Sequence, residues 1–139
     1  MNEPCFYRVS VKALILDDTG RFLLARESDG SWDLLGGGLD HDENPVAAIG
    51  REVSEETGLV VADVSRAPKY FVTALKPSAG VYMANVIFEV KIKDLSNFVP
   101  SDECQELRYF TADEARAEHL LPWTEQFVNA YDPSLHKLD

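Results

Sequence analysis

The hydrophobic positions of the chain alternate in some segments and run on in others, and both patterns are typical of β-strands. Residues 8–16 alternate first and then become continuously apolar, which predicts a strand buried on both faces. The turn residues 17–20 lead into a second apolar run, so we expect a hairpin. The full set of predicted strands is 8–16, 21–26, 60–65, 70–76, 81–90 and 106–110, and residues 77–80 form the loop of a hairpin.

A helical pattern begins at Asn44-Pro45 and ends at Gly58, since Asn is a good N-cap and Gly a good left-handed stop. Its apolar stripe predicts a core-facing side, on which Gly50 indicates close packing against a sheet. The stripe consists of Val46, Ile49, Gly50, Val53 and Thr57.

Before this helix, the three glycines 36–38 predict a loop with unusual backbone angles or close backbone approach to a bound group. A capping box at 111–114 opens a second helix, and residues 122–131 form a third. Strands mixed with helices predict a layered α/β or α+β fold, and we expect a single domain over 1–139.

The chain has 139 residues and a net charge of −11, which disfavours nucleic-acid clamps and binders of anionic membranes. It has no apolar run of the roughly 18 residues that a membrane span needs. Its start lacks the pattern of a secretory signal. Cys5 and Cys104 show no metal-ligand spacing, so we interpret both as reduced packing residues of a cytoplasmic protein.

Three glutamates, Glu52, Glu55 and Glu56, stand at i, i+3 and i+4 of the first helix. Like charges at this spacing repel one another, and the C-terminal half of a helix disfavours anions. A hard divalent cation such as Mg²⁺ or Mn²⁺ would remove both penalties, because it prefers oxygen ligands. The alternative is an ordinary solvated helix face.

The spacing around these glutamates favours the metal site. Nine positions follow a fixed pattern: Gly37-x5-Glu43-x7-Arg51-Glu52-Val53-x-Glu55-Glu56-x-Gly58-Leu59. The segment 37–59 resembles the Nudix box at every defined position. Many members of that family also carry a Trp and a Gly-Gly run before the box, and the resemblance extends over about 6–131. Leu35 and the pair at 41–42 stand where many members have proline or Pro-Gly, which affects loop conformation only.

The resemblance implies an α/β/α sandwich with a mixed β-sheet and the box helix on one face. It also implies a pyrophosphohydrolase that cleaves a nucleoside diphosphate linked to another moiety with Mg²⁺ or Mn²⁺. Glu52, Glu55 and Glu56 would be the metal ligands, together with the carbonyl of Gly37. Arg51 would orient Glu43.

The general base is taken either from the box or from a later loop. The catalytic set implied by the resemblance is Glu52, Glu55, Arg51 and Glu103. Substrate would be a small nucleotide such as a nucleoside triphosphate, ADP-ribose or a nucleotide sugar, and relatives that pair suggest a homodimer.

Substrate contacts carry weaker signals. Arg26 would reach a phosphate, and Trp32 or Tyr82 would stack on a base, as would Tyr70 or Phe71. Aromatic residues in such positions are more often core residues or exposed strand residues than contacts for a base. The alternative function is a Nudix-fold nucleotide sensor without turnover, although such proteins typically lose box glutamates that this chain keeps.

Overall fold

The computed structural model describes residues 3–136. Met1, Asn2 and residues 137–139 lie outside the described residues, so part of the segment that lacks a secretory-signal pattern lies there too. The described strands are β1 (Arg8–Leu14), β2 (Phe22–Arg26), β3 (Trp32–Asp33), β4 (Leu35–Gly38), β5 (Val61–Val64), β6 (Tyr70–Lys76), β7 (Val81–Ile92) and β8 (Glu106–Phe110). The helices are α1 (Pro45–Thr57), α2 (Ala112–Arg116) and α3 (Pro122–Ala130). In this part of the chain, no helix has the length and apolarity to cross a membrane.

The main sheet has the order β4-β1-β7-β5, with β6 also paired to β7. It is mixed, because β1 runs parallel to β7 while the other pairs are antiparallel. A second sheet has the order β3-β2-β8. The predicted mixed α/β fold is confirmed.

Alternate residues of β1 point to opposite faces of the main sheet, and each face has its own core. On one face, Val11 packs in a cluster with Ile49 and Val53 of α1. On the other face, Leu14 packs in a cluster with Phe127 of α3. The sheet therefore holds α1 on one side and α3 on the other, and β1 carries side chains into both layers.

The predicted hairpin between β1 and β2 forms only next to its turn, where the backbone N–H of Leu23 donates to the carbonyl oxygen of Ile15 at 2.9 Å. The Asp17 side chain accepts hydrogen bonds from the backbone N–H groups of Thr19 and Arg21, so the turn itself forms. Beyond one bridge between Leu16 and Phe22, however, the strands diverge. Both edges of β1 are occupied by β4 and β7, so β2 pairs with β3 and β8 instead.

The predicted loop at 36–38 is also wrong, because these glycines belong to β4 and pair with β1. The expected close approach is present, although it is made to protein groups. A Cβ on Gly36, whose φ is +139°, would lie 2.1 Å from the carbonyl oxygen of Val11. Glycine at this position therefore allows β4 to lie against β1.

Both predicted ends of α1 are confirmed. The Asn44 side chain accepts hydrogen bonds from the first turn, and Gly58 adopts the left-handed conformation at φ +72°. The predicted buried stripe is wrong at two positions, since Val46 is 42% exposed and a Cβ on Gly50 would meet open space. The helix is rotated about its axis so that Glu56 takes part in the buried side, together with Ala48, Ile49, Val53 and Thr57.

Candidate active site

Glu56 lies between α1 and β4 and is only 7% exposed. One of its carboxylate oxygens accepts a hydrogen bond from the backbone N–H of Gly36 at 2.9 Å. Burial raises its pKa to about 8, because desolvation disfavours the charged form. Glu56 is therefore not part of a solvated helix face, and its negative charge needs a compensating partner.

Glu52 lies next to Gly37 of β4. A Cβ on Gly37 would be 2.6 Å from the carboxyl carbon of Glu52, so the absence of a side chain at this position makes room for the carboxylate. Burial, followed by the nearby charges of Glu55 and Glu103, raises the pKa of Glu52, while Arg51 opposes the change. The structure thus brings the exposed loop residue Glu103 into electrostatic range of Glu52.

Arg51 is the cation among these carboxylates. It donates two hydrogen bonds to Glu43, from Nε at 2.9 Å and from Nη2 at 3.1 Å. This bidentate contact joins the two residues that the resemblance pairs. Its Nη1 lies 3.2 Å from carboxylate oxygens of both Glu52 and Glu55. Arg51 therefore ties the start of α1 to two of the three box glutamates.

The three box glutamates do not converge in this structure. Residues 3–136 contain no group of three or more acids, histidines or cysteines arranged to hold a metal ion. The physical reason is that Arg51 draws Glu52 and Glu55 to itself, while Glu56 turns towards β4. The donor chemistry still fits a hard divalent cation, because two desolvated carboxylates lie beside a backbone that has no side chain at Gly37.

The loop before β8 is fastened to the end of α1. The Ser101 hydroxyl donates to the carbonyl oxygen of Glu56 at 2.7 Å, and it also accepts a hydrogen bond from the backbone of Cys104. This contact keeps the segment that carries Glu103 close to the box helix. Cys104 is buried as predicted, whereas Cys5 is exposed, so its predicted packing role is wrong.

The predicted substrate contacts have different outcomes. Trp32 is 2% exposed, with its ring 5.0 Å from that of Phe110 and covered by Arg108 at 4.8 Å. Because its ring has no free face for a base, the structure contradicts that role. Arg26 donates to Glu106 at 3.1 Å and lies at the surface, so its contact with phosphate stays a prediction.

The other aromatic candidates differ in whether their rings are exposed. Tyr82 is 53% exposed, and its ring lies 5.9 Å from that of Tyr7, so stacking on a base stays a prediction. Phe71 is exposed as well. Tyr70 packs edge-on against Phe127 of α3 and is therefore a core aromatic.

Sequence analysis missed a set of buried polar residues on the α3 side of the sheet. Lys12 and Asp33 form a buried ion pair at 2.9 Å, and the side-chain amide of Asn85 has no hydrogen-bond partner within the described residues. The signal for Lys12 is its position inside the apolar run 8–16, since a lysine in a strand buried on both faces needs an acidic partner.

Two surface cavities of about 460 and 440 Å³ lie elsewhere. Both are lined by Glu89 and Lys91 of β7, and neither is lined by the glutamates of α1. Glu52 and Glu56 thus lie beside β4 and away from both cavities.

Comparison with known proteins places the whole arrangement in one family. The family model described as NUDIX domain matches residues 6–131. A MutT-like protein of Streptomyces ambofaciens is 38% identical over 89 residues, which cover 57% of this chain and 58% of that protein. An RNA pyrophosphohydrolase of Saccharophagus degradans is 43% identical over 60 residues, which cover 42% of this chain and 35% of that protein. The chain thus spans about half or less of these two curated relatives.

Solved structures extend the similarity over most of the chain. The MutT protein from Methanosarcina mazei Go1 superposes with a TM-score of 0.72 at 28% identity, covering 94% of this chain and 96% of that one. The solution structure of the E. coli ORF135 protein gives a TM-score of 0.73 at 25% identity, covering 89% and 87%. The resemblance seen in the sequence and the fold that it implies are confirmed. The chain is a member of the NUDIX domain family.

Proposed function

We propose that this protein is a divalent-metal-dependent pyrophosphohydrolase that cleaves a phosphoric anhydride bond in a small nucleotide derivative. The observation that carries the proposal is the pair of desolvated carboxylates, Glu52 and Glu56, beside the glycine backbone of β4. Membership of the NUDIX family and similarity to an RNA pyrophosphohydrolase support it.

Glu52, Glu55 and Glu56 would hold Mg²⁺ or Mn²⁺, together with the carbonyl of Gly37. When bound, the metal supplies charge neutralisation for the pyrophosphate and a lowered pKa for an attacking water. The protein's own contribution is to bury part of these anionic oxygens, because partly desolvated carboxylates bind a cation more strongly than they would in bulk water.

Arg51 would act as a positioning residue, because its bidentate bond with Glu43 fixes its guanidinium over Glu52 and Glu55. Glu103 would act as the general base or as an additional ligand. It is exposed and lies within electrostatic range of Glu52, so it is accessible to a water molecule near the phosphorus.

The substrate would be a nucleoside triphosphate, ADP-ribose or a nucleotide sugar. The exposed rings of Tyr82 and Tyr7 offer an aromatic surface for a base, and Arg26 offers a cation at the surface for a phosphate. The single-domain extent over 1–139, the cytoplasmic location and the homodimer stay predictions.

A substrate panel tests this proposal. Purified protein is incubated with nucleoside triphosphates, ADP-ribose and nucleotide sugars, with Mg²⁺, with Mn²⁺ and with a chelator, and the products are separated by chromatography. We expect hydrolysis of at least one compound with metal and none with the chelator. Tight nucleotide binding without any hydrolysis would instead favour a sensor, and would contradict the proposal.

A further inference from the structure

A buried ion pair lies beneath β4, on the sheet face opposite to α1. Lys12 of β1 and Asp33 of β3 are each 8% exposed in their side chains, and their charged atoms are 2.9 Å apart. Asp33 also accepts hydrogen bonds from the Thr124 hydroxyl at 2.7 Å and from the Trp123 indole N–H at 3.2 Å. The carboxylate is therefore fixed by α3 as well as by Lys12.

Lys12 contacts the strand segment whose backbone binds Glu56. Its ammonium group also donates to the carbonyl oxygen of Leu34 at 3.4 Å. Lys12 is paired with Gly36 in the register of β1 and β4, and its side-chain Cδ would be 3.0 Å from a Cβ on Gly36. The stem of Lys12 thus lies against the residue whose backbone N–H binds Glu56.

The charges in this region are unevenly matched. Lys12 is one buried cation, whereas Asp33 and Glu56 are two buried acids. Burial alone would lower the pKa of Lys12, but Asp33 and, to a smaller degree, Glu56 raise it overall. Removing the lysine charge would leave both acids without a buried cation.

We propose that Lys12 is a positioning residue for Glu56, because it holds in place the part of β4 whose backbone N–H binds the Glu56 carboxylate. Lys12 touches neither substrate nor metal, since its ammonium group is bound to Asp33 and Leu34. The inference rests on the proposed function, because it concerns the same metal site.

The test is a double-mutant cycle read by direct binding of Mn²⁺, without substrate. The variants are Lys12→Met, Glu56→Gln and the double variant, with Lys76→Met as the matched control at an exposed lysine of β6. We expect Lys12→Met to weaken Mn²⁺ binding by about 10- to 100-fold, the range for residues that support metal ligands. In the Glu56→Gln background the same substitution has no further effect, and Lys76→Met leaves binding unchanged.

Circular dichroism and thermal unfolding verify that each variant is folded. If Lys12→Met does not fold, Asp33→Asn replaces it in the cycle, since this change removes the anchor of Lys12 while keeping its size. Asp33→Asn is likewise expected to weaken Mn²⁺ binding only where Glu56 is present.

The outcomes separate the two proposals. Mn²⁺ binding that is unchanged by Lys12→Met, or reduced equally in both backgrounds, overturns the role of Lys12 and leaves the proposed function intact. A wild-type protein that neither binds Mn²⁺ nor hydrolyses any compound of the panel contradicts the proposed function, and the role of Lys12 with it.

Discussion

The carboxylate of Glu56 is buried between α1 and β4, where a negative charge is costly. A hydrogen bond from Gly36 and the nearby cation of Lys12 compensate for part of this cost. A pKa of about 8 means that, without metal, this side chain is largely protonated at neutral pH. A divalent cation would favour the ionised form, so binding should release a proton. Stability and metal binding are thus linked at this single residue.

The first prediction concerns the pH dependence of stability in the metal-free protein. The folded protein keeps a proton on Glu56 between the ordinary pKa of 4.5 and about 8, whereas the unfolded chain releases it. Because the folded state binds more protons in this window, the stability due to neutral Glu56 is present below pH 4.5 and is lost as the pH rises towards 8. Glu56→Gln should remove this loss.

Urea unfolding at several pH values, with a chelator present, measures this effect. We expect Glu56→Gln to equal the wild type in acid and to exceed it near pH 8, since each pKa unit is worth about 1.4 kcal/mol. If stability changed with pH in the same way in both proteins, then the pKa of Glu56 in the folded protein would be its ordinary value. That result would contradict the effect of burial on Glu56.

At the scale of elements, α1 could be predicted from the sequence because its signals are local. Asn44 and Gly58 mark the two ends, and the structure keeps both. The pairing of the strands could not be predicted in this way. The parallel pairing of β1 with β7 joins residues 75 positions apart, such as Arg8 and Met83. Nothing in the turn at 17–20 indicates that β2 belongs to another sheet.

In the candidate site too, some features could be predicted from the sequence and others could not. The Arg51–Glu43 pair could be predicted because the resemblance to the Nudix box implies it. Contacts with substrate could not, because an aromatic residue such as Trp32 does not reveal from its type alone whether its ring is buried. The ion pair of Lys12 and Asp33 depends on the packing of β1, β3 and α3 together, which only the structure shows.

Alanine substitutions at Gly37 and Gly50 form a matched pair, because an added Cβ meets Glu52 at Gly37 and open space at Gly50. Gly37→Ala would place a Cβ 2.6 Å from the Glu52 carboxyl carbon, so that flexible side chain must move. We expect a large loss of hydrolysis with little change in the free energy of unfolding. Gly50→Ala meets open space within α1, so we expect it to stabilise the helix by about 1 kcal/mol and to leave activity unchanged.

Activity assays and urea unfolding of both variants measure these effects. If Gly37→Ala were as active as the wild type, then the position of Glu52 beside Gly37 would not matter to the reaction. A destabilising Gly50→Ala would mean that α1 packs closely at this point after all.

At the scale of the whole molecule, the net charge of −11 is concentrated in particular segments. Residues 37–59 contain six acids and a single arginine, and residues 101–118 contain six acids and two arginines. The structure ties these two segments together through Ser101 and Glu56. Part of the acidity that disfavours anionic partners thus lies on and beside α1, where a cation would bind and reverse the local charge.

Turnover of Glu56→Gln tests most directly whether Glu56 takes part in metal-dependent hydrolysis. The measurement is kcat at saturating Mg²⁺ or Mn²⁺ on the compound that the panel identifies, with Glu125→Gln as control, since Glu125 is an exposed residue of α3. The account predicts a fall of about two orders of magnitude or more in a folded Glu56→Gln protein, and none in the control. Full activity of Glu56→Gln under these conditions would contradict the assignment of the site.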